Sequence, residues 1–212
     1  MADPAPVAQT FLGDALAGDF SLDGIVTVAD AGRVRAQMRE HPEAAEQVAL
    51  ADLLILTKTD LADPAEVEAA RAALARANPS AEVIEAIRGA VAADALLSLG
   101  GYDLSRVEDR LPAAGLLHLG DIASVSLTAE KPFDQERLFD WLTALGPDVL
   151  RVKGVLDLAG EARKVAVQGV GGMIEGDVLG PWPRGPRQSR LVLIGRKLDR
   201  AALAAAFRGF AA

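Results

Sequence analysis

One short segment of this 212-residue chain combines residue types and placement suited to ligand chemistry. Residues 53–60 read LLILTKTD, an aliphatic run followed at once by Thr57, Lys58, Thr59 and Asp60. A continuous apolar run of this kind fits a strand buried on both faces of a parallel sheet. In open parallel sheets ligands bind beyond the carboxyl ends of the strands, which is where T-K-x-D stands. A carboxylate at Asp60 can accept two hydrogen bonds from the N1–H and N2–H₂ edge of guanine, a donor pair that adenine lacks. The stem of Lys58 can lie along a base, and the Thr57 hydroxyl can tie the turn to a neighbouring loop. The same letters also fit a solvated turn, because short motifs recur by chance. The strand before them and the capped helix after them favour the binding reading.

Other chemistry is poorly supplied. There is no cysteine, so disulfides and thiolate metal sites are excluded. Two histidines, His41 and His118, are too few for an all-histidine metal site, which needs three or four ligands. His41 beside Pro42 reads as a helix break, and His118 with Asp121 reads as part of a surface linker. The glycine cluster at 169–172 fails G-x-G-x-x-G because Ile174 occupies the last position, and it leads into 175–186, read as a loop. Trp182 in that segment is expected to pack against a sheet, and Arg184, Arg187 and Arg190 to form a solvated face. No Ser/His/Asp set and no acidic pair is visible, so no catalytic residue is assigned.

Composition narrows the classes further. Half of the residues are apolar, enough for a real core, and aromatics are only 4%, so that core is aliphatic. The net charge is −8 and the arginines are scattered, which argues against nucleic acid as a partner. Residues 1–10 carry neither a basic start nor an apolar stretch of the kind a secretory leader has. No run approaches 18 apolar residues, so no membrane span is expected. These features point to a soluble, cytoplasmic chain.

The elements that would position Asp60 alternate along the first half. Asp3-Pro4 starts a helix that ends near Gly13. Residues 24–29 (GIVTVA) read as a further buried strand, and 82–84 (EVI) as a third short strand. Helical pieces are expected at 33–38 and 42–51, split by His41-Pro42. Asp63-Pro64-Ala65-Glu66 has the capping-box spacing and opens a helix to about Ala77, stopped by Asn78-Pro79. A helix is expected over 92–99. This βα alternation marks an α/β unit with a parallel sheet. Residues 100–117 read as a linker, with a boundary near residue 117. The remainder has another rhythm: a strand at 122–128, a helix capped by Asp134, strands at 150–158, 164–170 and 190–194, and a last helix from Asp199. The order βαβββα predicts a small α+β domain with an antiparallel sheet.

T-K-x-D after a buried strand resembles the base-recognition motif of P-loop GTPases, and the surrounding text resembles the CobW-type branch of them. The matching segments are 24–30 (GIVTVAD), 47–52 (QVALAD), Asn78-Pro79, and the span from Ile84 to Gly89. Further along, 124–127 (SVSL), 131–134 (KPFD), 150–154 (LRVKG), 167–170 (VQGV) and 191–196 (LVLIGR) resemble the family's C-terminal domain, in order. The resemblance covers nearly the whole chain. It implies the C-terminal part of a P-loop GTPase domain over 1–117 and a CobW-type C-terminal domain over 118–212. It implies guanine binding by Thr57, Lys58 and Asp60, with residues 85–88 approaching the base. GTP or GDP with Mg²⁺ would serve the intact family, which handles a metal such as zinc or cobalt and includes cobalamin-synthesis proteins.

Two family motifs are absent. The 212 residues contain no G-x-x-G-x-G-K-S/T loop to grip phosphates, and no C-x-C-C metal motif. The resemblance therefore implies a truncated GTPase in which only the base half of the site remains. Such a chain alone is expected neither to hydrolyse GTP nor to bind it tightly, because phosphate and Mg²⁺ contacts carry most of the affinity. The alternative is a non-catalytic interaction module. It would pair with a second copy, with a separately encoded N-terminal half, or with a metalloprotein client, and the 25–29 strand would offer it an unpaired apolar edge.

Overall fold

The computed structural model describes residues 4–12, 20, 22–97, 99–100, 111, 116–119 and 122–211. Strands β1 (Val26–Asp30), β2 (Leu53–Thr57) and β3 (Glu82–Ala86) lie parallel in the order β1-β2-β3. Helices α2 (Val34–Glu40) and α3 (Pro42–Leu50) connect the first pair, and α4 (Pro64–Ala77) connects the second. Helix α1 (Ala5–Leu12) precedes them and a short α5 (Ala93–Leu96) follows. The second sheet is antiparallel, with β4 (Leu116–Leu119), β5 (Ile122–Ala129), β6 (Val149–Leu156), β7 (Arg163–Val170), β8 (Met173–Pro181) and β9 (Ser189–Arg196) ordered β4-β5-β9-β6-β7-β8. Helices α6 (Gln135–Ala144) and α7 (Arg200–Gly209) complete it. The expected class stands: a partial parallel sheet, then a small α+β unit with an antiparallel sheet.

The local signals explain most elements. Glu66 Oε2 accepts from the Asp63 N–H at 3.2 Å, closing the capping box that starts α4. Asp134 accepts from the Arg137 N–H to start α6, and Asp199 accepts from the Ala201 and Ala202 N–H groups to start α7.

Four expectations need correction. Residues 175–186 are not simply a loop: β8 runs through Met173–Pro181 and pairs with β7, with Val170 opposite Met173. Gly171 and Gly172 both have positive φ (57° and 89°), so they make the two-residue hairpin turn that fits the strand twist. The order over 122–211 is thus βαββββα. Residues 24–29 do not form a strand buried on both faces, because β1 is an edge strand with Val28 65% exposed. The helix over 92–99 shrinks to Ala93–Leu96, with no side-chain cap at Ala92. The linker reading of 100–117 fails at its end, where Leu116 and Leu117 belong to β4; 101–110 and 112–115 lie outside the described residues.

The layers are shared. Val48, Ala49 and Leu50 of α3 and Ala70, Ala73 and Leu74 of α4 pack with Leu54 and Leu56 of β2. They also pack with Ile122, Val155, Ala166, Val192 and Ile194 of the antiparallel sheet. Alanine on these helices permits close approach to a sheet on each side. The other face of the second sheet holds a separate core, where Leu138, Leu142 and Phe207 meet Val125, Val152 and Leu191. The two sheets are thus bound through one common helix layer.

Charged ties cross that layer. Asp52, just before β2, is buried, and its carboxylate takes Lys153 Nζ at 2.9 Å, Arg151 Nη2, and the Ile25 N–H at 3.0 Å. Arg151 Nη1 also donates to the Leu50 carbonyl at 2.7 Å. Arg196 pairs with Glu46, and Gln9 Nε2 donates to the Gly171 carbonyl at 3.0 Å.

Candidate functional site

The parallel register places the ends of all three strands on one rim, with Asp30 opposite Thr57 and Thr57 opposite Ala86. Thr57 is the last residue of β2, half-buried, and its carbonyl accepts from the Ala31 N–H at 3.0 Å. Lys58 follows at φ 58°, a left-handed conformation that costs a non-glycine residue about 1–2 kcal/mol. Strain of this sort collects at ligand-binding turns. It swings the chain into a turn closed by the Leu61 N–H to Lys58 carbonyl bond at 3.1 Å. Asp60 sits exposed within that turn, and its carboxylate makes no hydrogen bond or ion pair with the described residues.

Lys58 Nζ donates to Asp30 Oδ2 at 2.8 Å, and the Gly32 N–H donates to Asp30 Oδ1 at 3.0 Å. The hydrogen bond from Lys58 holds the Asp30 carboxyl below its usual range against the opposing effect of burial, with Gly32 adding to it. Asp30, Gly32, Arg33, Lys58, Leu61 and Glu66 line an open cavity of about 300 Å³ beside the turn. Asp30 is a site residue that sequence reasoning quoted only inside a strand match. Its signal was an acidic residue ending a strand one βα unit before T-K-x-D.

Residues 87–89 leave the same rim after β3, with Arg88 and Gly89 at positive φ (52° and 74°). Glu85 is engaged with Arg71 of α4. Asn78 was missed as a positioning residue. It is fully buried, and its Nδ2 donates to the carbonyls of Val48 (2.9 Å), Ala49 (3.1 Å) and Ala51 (2.8 Å), fixing the end of α3 just before β2.

The remaining candidates do not converge on a second site. Among the described residues no group of three or more His, Cys, Asp or Glu could hold a metal ion. The side chain of His118, and all of Asp121, lie outside the described residues. Trp182 packs, partly buried, against the core between the sheets, as expected. Arg187 is not merely solvated: it pairs with Asp157 at 3.0 Å. Among the described residues no helix is long and apolar enough to cross a membrane.

The carboxylate of Asp60, unengaged among the described residues, stands on a strand-end rim and suits a base with adjacent N–H donors. The 212 residues contain no G-x-x-G-x-G-K-S/T stretch of the kind that grips a triphosphate. The base half of a guanine nucleotide therefore fits the residues present, and the phosphate half does not.

Comparison with known proteins bears on the whole chain. Residues 1–85 match the CobW/HypB/UreG nucleotide-binding domain, and residues 122–211 match the cobalamin synthesis protein cobW C-terminal domain. The chain is similar to the zinc chaperone YjiA of Escherichia coli K12, 33% identical over 99% of this chain and 68% of that protein. It is also similar to the zinc chaperone CobW of Pseudomonas aeruginosa, 29% identical over 96% of this chain and 62% of that one. The fold superposes on a Zn(II)-bound triple mutant of the YjiA GTPase with a TM-score of 0.88 and 31% identity, covering 100% of this chain and 69% of the other. The chain thus spans about two thirds of the length of these relatives. With both domain types matched in order and a 33% identical relative aligned over 99% of this chain and 68% of that protein, the chain belongs to the CobW/HypB/UreG family.

Proposed function

We propose that these 212 residues supply the guanine-reading half of a nucleotide site, joined to a CobW-type C-terminal domain, in a protein that handles zinc and serves a metalloprotein client. The observation that carries this reading is Asp60, an unengaged carboxylate on the rim of β2, with Thr57 and Lys58 beside it. Zinc is the favoured metal because two relatives aligned over 99% and 96% of this chain are named zinc chaperones. The reading places the protein in the cytoplasm, where GTP is abundant. By themselves the residues do not hydrolyse GTP, since the G-x-x-G-x-G-K-S/T stretch that would hold the phosphates and Mg²⁺ does not occur in them.

Base contacts alone give affinity near the millimolar range, about −4 kcal/mol. At half saturation such a ligand stabilises the fold by about 0.4 kcal/mol, which raises Tm by about 1–2 °C in a chain of this size. GDP at millimolar concentration is expected to give that rise, ADP none, and Asp60→Ala to remove the response to GDP. A thermal melt with the two nucleotides reads this. Equal shifts with GDP and ADP, or GTP turnover above blank, would defeat the proposal.

The second reading, a non-catalytic module that pairs with another chain, is favoured by β1 pairing with β2 alone among the described residues.

A further inference from the structure

Lys58 is tied at both ends. Its backbone leaves the end of β2 at φ 58°, and its ammonium donates to Asp30 Oδ2, at the end of β1, at 2.8 Å. Thr57 and Asp30 are register partners, and adjacent strands lie about 4.8 Å apart. The four-carbon stem therefore crosses from one strand end to the next along the rim instead of extending into solvent. The Lys58 side chain is still 55% exposed, so much of it is uncovered by the described residues. A methylene stem laid along a rim in this way is a surface on which a planar ring can rest.

Asp30 is itself held. Its Oδ1 accepts from the Gly32 N–H at 3.0 Å, and its carbonyl accepts from the Arg33 N–H at 3.0 Å. Carboxylate and backbone are thus both fixed by the turn that follows β1. The Asp30 side chain is 20% exposed, less than half as open as that of its partner. The Lys58 hydrogen bond is the strongest of the effects on this carboxyl and holds it below the ordinary range, so the pair is charged at neutral pH. An ion pair this open adds little to stability. What it supplies is order. A free lysine gives up much rotamer freedom when it is fixed, and a stem fixed before the ligand arrives spares binding that loss.

We propose, on the guanine reading given above, that Asp30 is the positioning residue of the base site: it holds Lys58 across the rim so that the stem supports the ring whose edge Asp60 reads. The two carboxylates of the rim then have separate tasks. Asp60 has no hydrogen bond or ion pair among the described residues and meets the ligand. Asp30 is engaged through both oxygens and acts through Lys58. Simple electrostatics gives the opposite expectation for its removal. The chain carries a net charge of −8 and GDP is an anion, so deleting a negative charge beside the site, and freeing an ammonium with it, should tighten binding. Positioning by Asp30 requires that binding weaken.

Titration of the 212-residue chain with GDP, and with ADP as reference, followed by amide chemical shifts at millimolar ligand, reads the difference. Asp30→Asn keeps an oxygen for the Gly32 N–H but loses the charge. It should raise the Kd for GDP about fivefold, the loss expected when a lysine must be ordered on binding. Its melting temperature should stay within about 2 °C of the parent's, as for an exposed pair. Lys58→Met, which keeps an apolar stem without the ammonium, should give a similar rise, and the double variant no further one, because the two residues act as a unit. Glu82→Gln makes the same charge change at the other end of β3 from the rim and should not weaken GDP. Binding of GDP by Asp30→Asn that equals or exceeds the parent's, or losses that multiply in the double variant, would overturn the role of Asp30 and leave guanine reading by Asp60 standing. A melting temperature lowered by more than about 5 °C in Asp30→Asn would do the same, since the pair would then be holding the fold. Equal responses to GDP and ADP in the parent would overturn both.

Discussion

Replacing Asp52 with alanine is expected to cost about 3–5 kcal/mol of stability, because it removes the carboxylate shared by two buried cations. Arg151 and Lys153 both point at this carboxylate from β6 and are themselves buried. Asn at the same position should cost less, since it keeps a carbonyl oxygen for the Ile25 N–H. Replacing all three charged side chains with apolar ones of similar volume should recover much of the loss, as it does for buried ion pairs elsewhere. The same carboxylate sets an acid limit. Burial pushes the Asp52 carboxyl up, but Arg151 and Lys153 together outweigh burial and hold it below the ordinary carboxylate range. A depressed native pKa contributes stability that is present above the unfolded value and lost as pH falls through the native one. The parent should therefore lose stability below the ordinary carboxylate range more steeply than Asp52→Asn does. Denaturant titrations at neutral and acid pH check both points, and a cost under 1 kcal/mol for the alanine variant would refute this account of the network.

Asn78→Ala is expected to cost about 2–4 kcal/mol, since it removes the donor shared by three buried carbonyls at the end of α3. It also removes the acceptor for the Ser80 hydroxyl at 2.8 Å. The effect should reach the rim. The carbonyls of Val48, Ala49 and Ala51 stand immediately before Asp52 and β2, so loosening them loosens the strand that ends in Thr57. A fall in Tm of roughly 5–15 °C follows from the usual scaling for chains of this length. Loss of protection for the β2 amides in hydrogen exchange, ahead of those in β6, is the accompanying sign. An unchanged melt would mean that water replaces the amide at no cost.

The sequence was most legible where one signal sufficed. The run 53–56 with T-K-x-D after it identified β2 and its rim, and Asp63-Pro64-Glu66 located the start of α4. Legibility failed where meaning depended on a distant partner. In the sequence Asp52 stands only as a charge between two apolar stretches, 48–51 and 53–56, yet it is the residue around which Arg151 and Lys153 are buried. Two cations two apart on a strand that is otherwise apolar were the available clue. Asp30 could not be paired with Lys58 without the parallel register. Strand β8 was lost because its two interior glycines and terminal proline read as a loop, although the Gly-Gly pair before it is a hairpin signal. The exposure of Val28 depends on what lies beside and above β1, and composition carries no information about that.

The helix layer common to both sheets has a practical corollary for anyone wishing to cut the molecule. Severing the chain near residue 117 should not release two self-sufficient halves. The piece with α3 and α4 would bare alanine and leucine surface that now lies against Ile122, Val192 and Ile194, and the other would bare those residues in turn. Each would precipitate or cling to its counterpart, so a nicked sample should still migrate as one particle.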